Sequence, residues 1–225
     1  MRMWMEFKKT ETVRHLGLLD LQRTMQRCLR RTQLPLAYSK GFNPHIQMSF
    51  ASALSSGIPG EAELLDVALD ETVGREFALE EMKKVLPDAL PVNRIRMVED
   101  RFPKAASLVK AADYQITFLN GKPDEIFTAI PSFMKEKEIL VMKKSKSGEK
   151  LTDIRPMIYD IHENVLSNSC SIRVAFREGA ALRPDLLYDT LCKYADVSDV
   201  KVFYRRQRLL TETQAGFISV FDYMA

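Results

Sequence analysis

Cysteine is scarce in this 225-residue chain: Cys28, Cys170 and Cys192 are widely separated, form no CxxC pair and stand at no zinc-like spacing from a histidine. A disulfide scaffold and a zinc knuckle are thereby excluded, as is an iron–sulfur cluster on three closely spaced thiolates. Glycine is also sparse, at nine residues, and no Walker loop or Gly-x-Gly-x-x-Gly fingerprint occurs. No Ser/His/Asp elbow or pair of catalytic carboxylates can be assembled from the spacing. No apolar run approaches the ~20 residues that span a bilayer, and Met1 to Thr10 lacks the continuous apolar core of a signal peptide. A reducing cytoplasm is the expected compartment, with no membrane, metal or cofactor.

What is present is the composition of a folded protein, 46% hydrophobic and 28% charged, without a low-complexity tract. The length exceeds one small domain and favours two modest ones. The net charge of +3 is too small to argue a nucleic-acid partner, but its distribution is uneven. From Arg14 to Lys40 there are six basic residues and one acid, Asp20, whereas Gly41 to Asp100 holds five basic residues and eleven acids. Basic residues gather again in Lys135 to Lys150 and in Lys201 to Arg208.

Met3 to Lys9 has the mix of a strand. Leu18, Leu21, Met25, Cys28 and Leu29 then recur at helical spacing until Pro35. Ile46, Met48 and Phe50 alternate with polar residues, as do Leu65, Val67 and Leu69 after a Gly/Pro turn. A helix over Val73 to Leu86 and a strand over Asn93 to Val98 complete the order strand, helix, strand, strand, helix, strand, the split βαβ arrangement. After a linker over Asp100 to Ala112 the order begins again. Tyr114 to Phe118 is a strand, Pro123 opens a helix that Pro131 kinks or stops, and Ile139 to Lys144 with Leu151 to Tyr159 forms a hairpin about Ser147-Gly148. Ile172 to Phe176, a helix from Arg183 to Tyr194 and a strand over Val200 to Arg208 close the second copy. The expected fold is α+β, two tandem ferredoxin-like (βαββαβ) domains at residues 1–100 and 112–210, with 211–225 as a tail.

At about 100° per residue, Arg23, Arg27, Arg30 and Arg31 fall on one side of the first helix and Leu18, Leu21, Met25 and Cys28 on the other. Guanidinium is planar, permanently charged and binds phosphate through paired hydrogen bonds, so this face suits a phosphate backbone; the alternative is a solvated face paired with acids. The segment Tyr38-Ser39-Lys40-Gly41-Phe42-Asn43-Pro44-His45 combines two aromatics, a cation and a flexible glycine. Its rings can stack on unpaired bases and Lys40 can meet a phosphate; alternatively Tyr38 and Phe42 plug the core. Metal-independent RNA cleavage needs a general base and a general acid, for which His45 and then His15 are the candidates, His162 falling in the second half. Arg155, in Asp153-Ile154-Arg155-Pro156, is a further candidate contact beside a ligand, or a structural salt bridge at a strand end. The lysines of the 143–150 hairpin and Arg205-Arg206-Gln207-Arg208 are as readily solubilising as functional.

The runs Arg14-His15-Leu16-Gly17-Leu18-Leu19-Asp20, Gln22-Arg23, Arg30-Arg31 and Tyr38 to His45 resemble the signature of the bacterial radical-SAM-linked (radical SAM-associated) protein family, built on a domain of unknown function. Met48-Ser49-Phe50-Ala51, Glu61 to Asp66, Asp153 to Pro156 and Arg183-Pro184-Asp185-Leu186-Leu187 extend the likeness over nearly the whole chain. That resemblance implies a B12-binding-type radical SAM protein as partner and a genomic neighbourhood that often includes a ribonuclease of the E/G type. The family is also distantly similar to the RAMP proteins that process CRISPR repeat RNA, a likeness of fold and helix-loop pattern. Where the family pattern usually has Gly-His-Leu-Asp, this chain has Gly17-Leu18-Leu19-Asp20, so Leu18 holds the family's histidine position. The function expected is an RNA-binding accessory protein, with ribosomal or transfer RNA as candidate ligands. The alternatives are a metal-independent RAMP-like endoribonuclease and a protein-docking subunit that never touches RNA.

Overall fold

The computed structural model describes residues 1–120, 124–145, 148–164, 168–176 and 180–224. It divides into two compact units, one of Met1–Val109 with Arg206–Ala225, the other of Lys110–Arg205. The fold is α+β.

In the first unit β1 (Arg2–Lys9) lies between β3 (Gly60–Ala68) and β4 (Val92–Val98), antiparallel to both, and β2 (Met48–Phe50) pairs with β3. With α1 (Leu18–Leu29) and α2 (Arg75–Val85) as crossovers, the spatial order β4-β1-β3-β2 is that of the split βαβ motif. Side chains alternate across a strand, so Met3, Met5 and Phe7 face a core shared with Leu21, Met25 and Leu29 of α1 and Ala78 and Met82 of α2. Leu18, expected to pack with them, is 39% exposed, and Leu19 is 66% exposed. The helix begins at Leu18, and its packed stripe is set one turn further along.

The opposite face of this sheet is covered by its own chain. Trp4 is fully buried, with Phe102 edge-on at 5.3 Å between ring centres. The guanidinium of Arg2 pairs with Asp66 at 2.5 Å and donates to the carbonyls of Phe102 and Pro103, while Asp66 also accepts from the amide of Ala105 in α3 (Ala105–Leu108). Arg94 bridges Glu6 and Asp222, and Arg96 donates to the carbonyls of Phe221 and Tyr223. The segment expected as a tail after residue 210 is thus part of the first unit. The contacts of Arg94 and Arg96 hold it, and β11 (Gly216–Ser219) pairs with β10 (Val202–Thr213). The chain re-enters this unit within β10, not after it.

In the second unit β5 (Ala111–Phe118) pairs with β9 (Ser169–Ala175), which pairs with β8 (Ile158–Asn164), all antiparallel. The crossovers are α4 (Asp124–Phe133) and α5 (Pro184–Tyr194). Here the expected hairpin is corrected. Residues expected as a single strand over 151–159 divide into β7 (Gly148–Asp153), a short 3-10 turn at Arg155–Met157 and the start of β8. The turn contains Pro156, whose fixed φ and missing amide break the ladder there. β6 (Leu140–Ser145) and β7 form a separate two-stranded sheet inserted before β8. Pro131 lies inside α4, which ends two residues later at Phe133. Pro123, Lys146 and Ser147 lie outside the described residues.

Candidate nucleic-acid interface

The first unit carries both expected contact elements. Arg23, Arg27, Arg30 and Arg31 are all exposed; Arg23 and Arg27 lie on α1 opposite the buried Leu21, Met25, Cys28 and Leu29, whereas Arg30 and Arg31, expected on the same helix, form the turn that ends it. Arg23 reaches Asp20 at 3.4 Å across one turn, a long surface contact of little energetic worth. Arg27, Arg30 and Arg31 have no ion-pair partner among the described residues.

The Tyr38–His45 segment is a loop on a fixed base. The Ser39 amide donates to the His45 carbonyl at 2.8 Å, the His45 amide donates back to Ser39 Oγ at 3.0 Å, and Gln47 Nε2 donates to the Tyr38 carbonyl at 2.9 Å. Ile46 is buried, and the Ala37 amide donates to the Ala68 carbonyl, which fastens this base to the end of β3. Above it Gly41 has φ +130°, a conformation that only glycine adopts cheaply. Phe42 is 106% exposed and Tyr38 43%, so Phe42 does not plug the core. Lys40, Asn43, Pro44 and His45 are exposed beside it. Ser39, expected among the RNA contacts, has its Oγ at the loop's base, where it accepts from the His45 amide.

The helix start is held from below by a charged cluster that the sequence reading missed. Lys9, 1% exposed, donates to the carbonyls of Arg14 at 2.8 Å and Leu16 at 2.9 Å. Arg206, fully buried, pairs with Glu63 through two hydrogen bonds, one of 2.8 Å, and donates to Ser52 Oγ and the Ala53 carbonyl. Burial pushes the Lys9 ammonium below its ordinary range; the Glu63 charge opposes this and the Arg206 charge adds to it. Ser56 Oγ and the Gly57 amide donate to the carbonyls of His15 and Arg14, so residues 14–17 and 52–57 are tied together over the cluster. The signal was in the sequence: Lys9 continues the parity of Met3, Met5 and Phe7, placing a charge on the core face of β1.

Between α1 and β2 lies a shallow cleft of about 250 Å³ lined by Leu18, Gln22, Met48, Ser49, Phe50 and Ala53. Leu18, at the histidine position of the radical-SAM-linked pattern, supplies an apolar wall with no proton to transfer. His15 is exposed and its Nε2 accepts from Arg14 Nε at 3.1 Å. Among the described contacts none joins His15 to His45 or either to a shared partner.

Arg155 belongs to the second unit. Its guanidinium donates to the carbonyls of Ile158 at 2.9 Å and Met134 at 2.8 Å, and Asp153 Oδ1 accepts from the Arg155 and Ile139 amides. These contacts fasten the end of α4 to the start of β8. His162, also there, contacts Asp160 at 2.5 Å. The described residues contain no group of three or more His, Cys, Asp or Glu side chains able to hold a metal, and no described helix is long and apolar enough to cross a membrane.

These features define an α+β protein whose first unit displays arginines on one helix and an exposed phenylalanine on a clamped loop. The chain belongs to the DUF2344 family, described as uncharacterized protein conserved in bacteria, whose model matches residues 2–184. No curated protein matches the sequence. Among solved structures it is similar to a chain of the crystal structure of a Cbf5-Nop10-Gar1 complex, at 12% identity and a TM-score of 0.48 over 92% of this chain. This chain spans about half the length of that one, 48%. A likeness this slight carries no function across.

Proposed function

We propose that this protein is an RNA-binding accessory protein that presents structured or single-stranded RNA, ribosomal or transfer RNA, to a B12-binding-type radical SAM partner. The observation that supports the reading best is Phe42, an aromatic ring held wholly in solvent on a loop whose base is fixed by hydrogen bonds. Exposing a ring of this size forgoes about 1.5–3 kcal/mol of burial, a cost with a return if the ring stacks on a base. Arg27, Arg30 and Arg31 supply guanidinium groups for phosphates, and Tyr38 and Lys40 flank the ring. The partner enters from the resemblance to the radical-SAM-linked family alone. Endoribonuclease activity lacks comparable support, because Leu18 cannot transfer a proton and, among the described residues, no contact couples His45 to a second acid or base.

Crosslinking in the native cell followed by sequencing of bound RNA, comparing wild type with an Arg23/Arg27/Arg30→Glu variant, tests the reading. A defined RNA enriched with wild type and lost with the variant is the expected result. No enrichment above background would overturn it in favour of a protein-docking subunit.

A further inference from the structure

Among the described residues, the β6–β7 hairpin of the second unit has one strand edge with nothing paired to it. The Ile154 amide donates to the Ile139 carbonyl at 2.9 Å, so Ile139 and Val141 direct their backbone groups toward β7. In an antiparallel ladder the alternate residues point the other way. The amides and carbonyls of Leu140 and Met142 therefore face outward, with no partner among the described residues. Natural proteins blunt such edges with charge, proline or a covering segment. Here the outward residues Leu140 and Met142 are apolar and 50% and 54% exposed, and lysine enters β6 only further along, at Lys143 and Lys144.

This edge opens into a cleft of about 690 Å³, within the ~300–1,000 Å³ of ligand clefts. Ile139, Leu140, Val141 and Met142 all line it. Four successive residues, rather than alternate ones, mean that the strand presents its edge and not a face. The facing wall comes from α5 and the end of α4, with Phe133, Leu186 and Tyr194 as its apolar part. Its charged groups are Glu136, Glu138 and Asp189 against Lys193, an excess of acid. Tyr194 Oη donates to Glu136 Oε1 at 2.8 Å and fixes that carboxylate at the rim.

We propose that this cleft binds an extended segment of a partner protein, rich in alternating apolar and Lys or Arg side chains, as an added strand on β6. Main-chain hydrogen bonds to Leu140 and Met142 supply the affinity and the carboxylates select basic side chains. A second copy of this chain fits poorly, since pairing two β6 edges would bring like carboxylate sets together. RNA fits no better, because those carboxylates repel phosphate. The surface is independent of the RNA reading and stands or falls separately.

The test uses the full-length protein, a capped peptide of alternating valine and lysine, and its valine–glutamate counterpart. Binding is followed by fluorescence anisotropy and by hydrogen exchange at the Leu140 and Met142 amides. The lysine peptide should bind and slow exchange at both amides, and the glutamate peptide should not bind. Met142→Pro removes an edge amide that β7 does not use, so the hairpin survives while binding weakens by about tenfold. Asp189→Lys should weaken the lysine peptide similarly without touching the ladder. Unprotected amides at saturating peptide, equal binding of both peptides, or protection that rises with protein concentration in the absence of peptide would each overturn the proposal, the last in favour of self-pairing.

Discussion

If the α1 arginines hold phosphates, their number fixes how steeply binding responds to salt. Each phosphate neutralised on a single strand contributes about −0.7 to the slope of log K against log salt. Arg23 must exchange its 3.4 Å contact with Asp20 for a phosphate, whereas Arg27, Arg30 and Arg31 have, among the described residues, no ion pair to give up. Three or four contacts give a slope of about −2 to −3, so raising salt from about 50 to about 200 mM weakens binding by roughly 20- to 50-fold. The assay is anisotropy of a labelled single-stranded RNA titrated at several salt concentrations. The Arg23/Arg27/Arg30→Glu variant should bind weakly even at low salt and lose about two units of slope. A wild-type slope near zero, or an equal slope in the variant, would refute the placement of phosphates on this helix.

Phe42→Ala should weaken RNA binding by about 1–3 kcal/mol with no change in salt slope, because stacking releases no counterions; the melting temperature should not move, since the ring is wholly exposed. Arg206→Met leaves Glu63 buried without its partner and should cost about 3–5 kcal/mol in urea unfolding, most of it recovered in Arg206→Met/Glu63→Leu. Gly60→Ala should destabilise the same cluster, since a methyl group there would fall 2.3 Å from Glu63 Oε1. Burial, with the charges of Glu163 and Asp160, pushes the Cys170 thiol up to about 12. The unfolded thiol ionises near its ordinary pKa of about 8.5 while the folded one keeps its proton, so the unfolded state binds fewer protons and stability falls as pH rises from there toward about 12. Denaturation midpoints across alkaline pH should fall less steeply in Cys170→Ala.

Much of the architecture was legible because it rests on local periodicity. The apolar spacing of Leu21, Met25, Cys28 and Leu29 fixes both the packed side of α1 and the exposed side on which Arg23 and Arg27 must fall. Alternation in β1, β3 and β5 is likewise a property of each segment alone. The break at Pro156 was not legible, since a run of strand-forming residues does not say which of two sheets it joins. Nor was the hydroxyl of Ser39, whose role appears only when the His45 amide comes back across the loop.

The sequence by itself determined which residues are charged, which face of each helix is apolar and that the chain holds two rounds of strand and helix. Only the tertiary structure decided that residues 206–225 return to the first unit, that Lys9, Glu63 and Arg206 meet beneath the start of α1, that Phe42 stands in solvent and that β6 keeps an edge unpaired among the described residues. Periodicity is set by neighbours within a few residues of one another. Pairing partners more than a hundred residues apart, such as Glu63 and Arg206, are set by burial and charge compensation across the whole fold.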